Sequence, residues 1–288
     1  MAPMMKKSVA AASAVLVSVV LAACGSSAKS TTPVNVLYAG SLVHLMEKQI
    51  GPGFQSATGN TFTGFGAGST ALVAQIKGKV HQGDIFISAS PKVNADLQGA
   101  ANGNWETWYA TFATSGLVLG YNPSSKFAHD LQTKPWYEVV TEPGFRLGTT
   151  DPSTDPKGKL AAQALTDTAK VKNLPALKAL AKNSANFFPE ETLVGRLQSG
   201  QLDAGFFYAS EAKAASIATV LLAGVDLKAT YTITILANAP HEAAAEAFIK
   251  YLLGPAGQAA MRQDGFKLIS PVKVKGSGVP AGLSSVLP

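Results

Sequence analysis

Apolar and polar positions change their period several times along the chain, and each change marks an element. Residues 34–38 (VNVLY) form a short β-branched run that stops at Ala39-Gly40-Ser41. Beyond it the apolar side chains fall at Leu42, Leu45, Met46, Ile50 and Phe54, the spacing of a helix with one buried stripe. A second strand is predicted over 61–65, closed by Gly66-Ala67-Gly68-Ser69, and a helix over 71–79 follows it. Residues 84–89 (DIFISA) read as a fully buried strand and 91–97 as a short helix. Further strands are predicted over 117–121, 145–149, 204–208 (AGFFY) and 231–237. Helices are predicted after the 151–158 loop, over 191–199, and over 240–253, where Ala244, Phe248, Tyr251 and Leu252 share one face. Strands alternating with helices predict an α/β protein built on mainly parallel sheets. So many elements exceed one sheet of usual width. Two lobes are therefore expected, one from 34–116 and 232–288, the other from 117–231. Two strand connections between them would make a hinge, with a cleft at the carboxyl ends of the strands.

The first residues change the picture of where this body works. Lys6 and Lys7 precede a small-residue apolar run over 8–20, and Leu21-Ala22-Ala23-Cys24 follows directly. A basic start, a short apolar core and a small-residue cleavage site are the requirements of a secretory leader, here 1–23. Its ending on cysteine resembles the bacterial lipobox, in which that thiol receives a diacylglycerol. Cys24 is the one cysteine in the chain, so no internal disulfide can form. The expected product is an extracytoplasmic, lipid-anchored monomer on a flexible tether, residues 24–33 (CGSSAKSTTP).

Composition narrows the rest. With 47% hydrophobic and 15% charged residues the body is globular, not disordered. The formal charge of +6 falls by two once Lys6 and Lys7 leave, and no basic cluster interleaved with aromatics suggests a nucleic-acid surface. No second apolar stretch is long enough to span a membrane.

Enzyme signatures are sparse. His44, His81, His129 and His241 stand far apart, without the spacing of a metal site, and His44 suits a surface or capping role. Gly66-Ala67-Gly68-Ser69-Thr70 lacks the second glycine of a nucleophile elbow, and no phosphate-binding glycine loop has the required spacing. Two Gly-Ser pairs carry more. Gly40-Ser41 and Gly68-Ser69 each lie where a predicted strand hands over to a helix. A serine there is an N-cap or a first-turn residue, its hydroxyl facing the same point as the free N–H groups of the helix start. Glycine before it lets a ligand approach the backbone. Two such corners converging on one cleft would hold an anion without a cationic side chain, whereas plain N-capping would explain either one alone.

An ordered set of motifs then resembles one family. The set is YAGSL (38–42), GAGS (66–69), GDIFISA (83–89), WYATFAT (108–114), DPSTDPKG (151–158), PEETL (189–193) and FYAS (207–210). Together they resemble the periplasmic molybdate/tungstate-binding proteins of ABC transporters, most of all the tungstate-type branch. The resemblance implies a two-lobed, type II periplasmic-binding-protein fold with the oxyanion held between the lobes, no cofactor, and an ABC permease as partner. It implies that Ser41 and Ser69 donate to the oxyanion and that Tyr208 reaches it from the second lobe. It implies that Asp155 and a glutamate approach the Mo or W centre. Counting back from Gly200 selects Glu190; reading the Pro-x-Glu-Thr pattern forward selects Glu191. A bare dianion beside two carboxylates is repelled. Two carboxylates therefore make sense only against a Lewis-acidic metal centre; otherwise they turn away and leave a neutral cage. The alternatives are another oxyanion such as sulfate, or a secreted enzyme using Asp155, Glu190 and Tyr208 as acid/base groups.

Overall fold

The computed structural model describes Met1 and residues 31–288; the leader, Cys24 and most of the tether lie outside the described residues. Nine strands are described: β1 (Pro33–Ala39), β2 (Thr61–Ala67), β3 (Ile85–Ser88), β4 (Trp108–Tyr121), β5 (Leu147–Gly148), β6 (Ala204–Tyr208), β7 (Ala218–Val220), β8 (Lys228–Ile235) and β9 (Lys267–Gly276). β1 lies parallel between β2 and β3, and β8 lies antiparallel between β3 and β4. β9 borders the first part of β4. After Gly116 the same strand joins a second sheet, where its residues 117–121 run antiparallel to β6 and residues 119–121 to β7, while β5 lies parallel to β6.

The sheets are thus mixed, which corrects the expectation of mainly parallel ones. Parallel pairs are confined to β1–β2, β1–β3 and β5–β6, and every pair made by β4 or β8 is antiparallel. The cause is the route of the chain. It enters the second sheet along β4 and comes back along β8, so the two strands lie side by side with opposite sense.

Alternation along each strand decides what it packs against. Val34, Val36 and Tyr38 of β1 face a cluster with Leu42, Leu45, Met46, Ile50, Phe54 and Phe248. Leu37 points the other way, onto Leu72, Val73 and Ile76 of the helix Ser69–Lys77. In the second sheet Val118 and Phe207 pair across the strands and bury Leu193, Leu197 and Leu202 on one face. Leu117, Leu119, Phe206 and Tyr208 take the other face, with Trp136, Ala161 and Leu165. Both sheets are therefore covered on two sides, which explains their near-continuous apolar runs.

The predicted helix over 42–54 is real but not uniform. It opens as a 3-10 turn at Gly40–Leu42, passes through a π segment at Met46–Ile50 and ends as the α-helix Gly51–Thr58. Pro52 has no N–H to return to the carbonyl four residues back, and the ladder widens there. Three stretches of strand escaped the sequence pattern. Residues 108–116 read as a motif but form the first part of β4, β7 is only three residues long, and β9 is an exposed edge strand with a weak alternation.

Candidate functional site

Ser41 and Ser69 occupy equivalent corners of the first sheet. Ser41 sits in the turn after β1, and Ser69 opens the helix after β2; both are buried. Neither caps a helix. The N-cap positions are Ala39 and Gly68, without side-chain cap bonds. The Ser41 hydroxyl instead lies 3.1 Å from the Tyr231 hydroxyl, and Ser69 Oγ accepts the Ala89 N–H at 3.1 Å. The plain capping explanation is thereby removed.

Each Gly-Ser corner meets one carboxylate from the helices around the second sheet. A Cβ on Gly40 would stand 2.7 Å from Glu190 Oε2, and one on Gly68 would stand 3.0 Å from Asp155 Oδ2 and 2.6 Å from the Thr154 carbonyl. The missing side chains are what allow this approach. Asp155 is the N-cap of the helix Pro156–Lys172, where its Oδ1 accepts the Lys157 N–H at 2.6 Å and the Thr150 hydroxyl at 3.1 Å. Its Oδ2 is buried with no partner. Glu190 begins the helix Glu190–Gln198 and repeats the arrangement. Oε1 lies 3.3 Å from Lys157 Nζ, while Oε2 is buried and unpartnered. Glu191 is exposed on the same helix, so the structure brings Glu190 into the cluster and leaves Glu191 in solvent.

Tyr208 ends β6 fully buried, its hydroxyl also without a partner. Its ring meets Tyr231 edge-on at 6.2 Å. Ser41, Asp155, Glu190, Tyr208 and Tyr231 thus form one buried cluster, with Ser69 docked beside it through Gly68. Buried polar atoms are nearly always bonded. Here the Tyr208 hydroxyl has no partner, while the Asp155 and Glu190 carboxyls have only each other beyond their bonds to Lys157 and Thr150, so a polar group entering the cluster would find three bonding positions.

The electrostatics agree. Burial, and then the Asp155 carboxylate beside it, push Glu190 well above the usual carboxylate range, with Lys157 pulling the other way. Burial pushes the Tyr208 hydroxyl up as well, so it remains a proton donor at neutral pH. Burial alone would lower Lys157, but Glu211, Glu190 and Asp155 outweigh it and hold the ammonium above the ordinary lysine range.

Three residues of the cluster were missed from the sequence: Lys157, Glu211 and Tyr231. Glu211 had a local signal, since it stands three residues after Tyr208 and its carboxylate accepts the Tyr208 N–H at 3.3 Å as a capping pair does. Tyr231 looked like any inward position of a β-branched strand. Lys157 had only its closeness to Asp155. The histidines stay apart from the cluster. His44 and His129 are exposed, His81 stacks on Phe65 at 4.1 Å, and His241 lies 3.1 Å from Asp84. Among the described residues no group of histidine, cysteine and carboxylate side chains is placed to hold a free metal ion.

Comparison with known proteins gives this arrangement its context. The family model for bacterial extracellular solute-binding proteins matches residues 34–267. The chain belongs to that family. As a solute-binding protein it is 29% identical over 277 residues to an uncharacterised solute-binding protein of Petrotoga mobilis, covering 84% of this chain and 85% of the relative. It is 24% identical to the molybdate/tungstate-binding protein WtpA of Pyrococcus abyssi, over 73% of this chain and 76% of the relative. The periplasmic molybdate-binding protein of Azotobacter vinelandii superposes with a TM-score of 0.65 at 21% identity, over 82% of this chain and all of that one. The solute-binding protein therefore has the type II periplasmic-binding-protein fold. Its family binds solutes and is not one of enzymes, so the acid/base reading of Asp155, Glu190 and Tyr208 falls away. Among the described residues no helix is long and apolar enough to cross a membrane.

Proposed function

We propose that this solute-binding protein captures molybdate or tungstate between its two sheets and delivers it to an ABC importer. The observation that carries the reading is the division of each buried carboxylate. Asp155 and Glu190 each commit one oxygen to a nitrogen donor of the protein, and the two carboxyl groups lie within hydrogen-bond reach of each other with no further donor on their second oxygens. Charged oxygens there repel the closed shell of sulfate or phosphate, since like charges about 4 Å apart cost several kcal/mol at reduced dielectric. Glu190, pushed up by burial, takes on that charge when a metal centre replaces its proton. A Mo or W centre can instead accept them as fifth and sixth ligands while Ser41, Ser69 and Tyr208 hydrogen-bond the oxo groups. The names of the Pyrococcus and Azotobacter proteins support the same class of solute.

Capture is a hinge closure. One body carries β1–β3, β8 and β9, the other β5–β7, with the hinge in β4 after Gly116 and in the return to β8. Residues 228–231 pair with β4, which supports a return near 228. Closure brings Glu190 onto Gly40 and the Thr154–Asp155 corner onto Gly68. The protein works as a monomer, held to the outer face of the membrane by acylated Cys24. Calorimetric titration of the tether-free body with tungstate, molybdate, sulfate and phosphate tests the ligand. Tight binding of the two metal oxyanions with weak sulfate upholds it, and equal affinity for sulfate overturns it. Fatty-acid labelling of the whole protein and of Cys24→Ser tests the anchor, which fails if the label survives the substitution.

A further inference from the structure

Lys157 is fully buried, and its contacts reach every group that the second sheet contributes to the cluster. Its backbone N–H ties Asp155 Oδ1 at 2.6 Å. Its ammonium lies 3.3 Å from Glu190 Oε1, and 3.0 Å and 2.9 Å from the two Glu211 oxygens. Glu211 in turn accepts the N–H of Tyr208, and the ammonium stands 5.8 Å from the Tyr208 ring centroid and 5.4 Å from that of Phe207. One residue therefore meets Asp155 through its backbone, Glu190 through its ammonium and Tyr208 by way of Glu211.

We propose that the Lys157 side chain is the positioning group that keeps one oxygen of Glu190 turned into the cleft beside that of Asp155, and that it thereby makes the site select metal oxyanions over sulfate. The proposal rests on the capture of molybdate or tungstate argued above. Three carboxylates, Asp155, Glu190 and Glu211, share this buried volume with a single cation. Without the ammonium nothing holds Glu190 Oε1, and the carboxyl is free to turn away from the cleft. A carboxylate free to turn no longer offers a fixed ligand to a metal centre. Sulfate, which gains nothing from that ligand, is little affected. Lys157 thus acts on the difference between two solutes more than on binding as such.

The test compares the unaltered protein with Lys157→Met, which keeps the length of the side chain and removes its charge. Tungstate and sulfate affinities are measured by calorimetry, and the coordination number of bound tungsten by X-ray absorption at its L3 edge. Losing one partner of a buried charge pair is worth at least about thirtyfold in affinity, so tungstate should weaken by that factor while sulfate moves less than about threefold. Bound tungsten should change from six-coordinate to five-coordinate, because the backbone N–H and the Thr150 hydroxyl still hold Asp155 while Glu190 is released, a change that a merely structural role would not produce. Six-coordinate tungsten and unchanged discrimination in a folded Lys157→Met protein overturn the proposal and leave capture standing. Failure of the unaltered protein to bind tungstate or molybdate overturns the functional reading itself. Should the variant not fold, the tungstate complex of the unaltered protein decides. Glu190 Oε1 still on Lys157 Nζ with Oε2 on the metal upholds the role, and a Glu190 released from Lys157 refutes it.

Discussion

The Glu190 carboxylate rests on the Cα of Gly40, so close that a Cβ at position 40 would stand 2.7 Å from Oε2. Gly40 is not among the residues with positive φ, so alanine there costs nothing in backbone conformation. Gly40→Ala should therefore fold normally and close poorly. Tungstate affinity is expected to fall at least about tenfold, equivalent to roughly 1.4 kcal/mol, with little change in the melting temperature of the empty protein. Gly68→Ala should act alike through Asp155 and the Thr154 carbonyl. Unchanged affinity in both variants would mean that the corners do not meet in the bound state.

The two carboxylates offer a test of sign. If Asp155 and Glu190 reach the metal, Asp155→Asn and Glu190→Gln should each weaken tungstate and molybdate. If they only line the cleft, removing a negative charge should tighten every dianion, sulfate included. Loss for tungstate is expected in both, and Glu191→Gln, on an exposed side chain, should bind as the unaltered protein does. Tighter tungstate binding by Asp155→Asn would exclude metal contact by that residue.

The serines test the other half of the cage. Hydrogen bonds to charged groups are worth roughly 1.5–3 kcal/mol, so Ser41→Ala and Ser69→Ala should each lower oxyanion affinity by about ten- to a hundredfold. Since neither side chain caps a helix, no helix is loosened by the change. Ser69→Ala also leaves the Ala89 N–H without its acceptor and should lower the melting temperature more than Ser41→Ala does. Equal affinities for all three proteins would move the site elsewhere.

Away from the cluster, Glu106 links stability to pH. It is 1% exposed, accepts Asn94 Nδ2 on one oxygen at 3.1 Å, and has no partner for the other. Burial pushes its pKa from 4.5 up to about 8, against the opposing pull of the Asn94 hydrogen bond and the nearby Gln98 side chain. The folded protein thus holds this proton more tightly than the unfolded chain. Stability from this group is complete below about 4.5, declines as pH rises, and is lost above about 8. The slope is at most about 1.4 kcal/mol per pH unit. Denaturant titrations at pH 5, 6.5 and 8 should show that decline in the unaltered protein and a flatter profile in Glu106→Gln. Parallel profiles would refute the protonated carboxyl.

What could be read beforehand divides along a physical line. Short apolar runs and period-3.6 stripes are local, and they located β1, β3, β6 and the helix Glu242–Leu253 within a few residues. The Gly-Ser corners and Asp155 were legible because turn chemistry is local too. Strand sense was not. β8 sits beside β4 because of how the chain returns, and nothing within residues 228–235 records it. Glu190 and Glu191 are neighbours with the same chemistry, and only the rotation of their helix sends one inward. Lys157 is the clearest case. In sequence it is one more lysine near a helix start, and its role depends on Glu211, which lies in a different helix.

The place of β8 in the first sheet also fixes an order of assembly. β3 and β4 are not neighbours until β8, from residues 228–235, has slipped between them, and β9 must still follow to cover the edge of β4. Pairings so distant along the chain close late and slowly. A polypeptide emerging amino-terminus first therefore carries Ser41, Ser69 and Asp155 while Tyr231 is still missing and β3 and β4 stand open. Two exposed strand edges are the usual invitation to aggregate. The buried cluster is then one of the last parts of the molecule to exist, and premature release of the chain yields a protein without it.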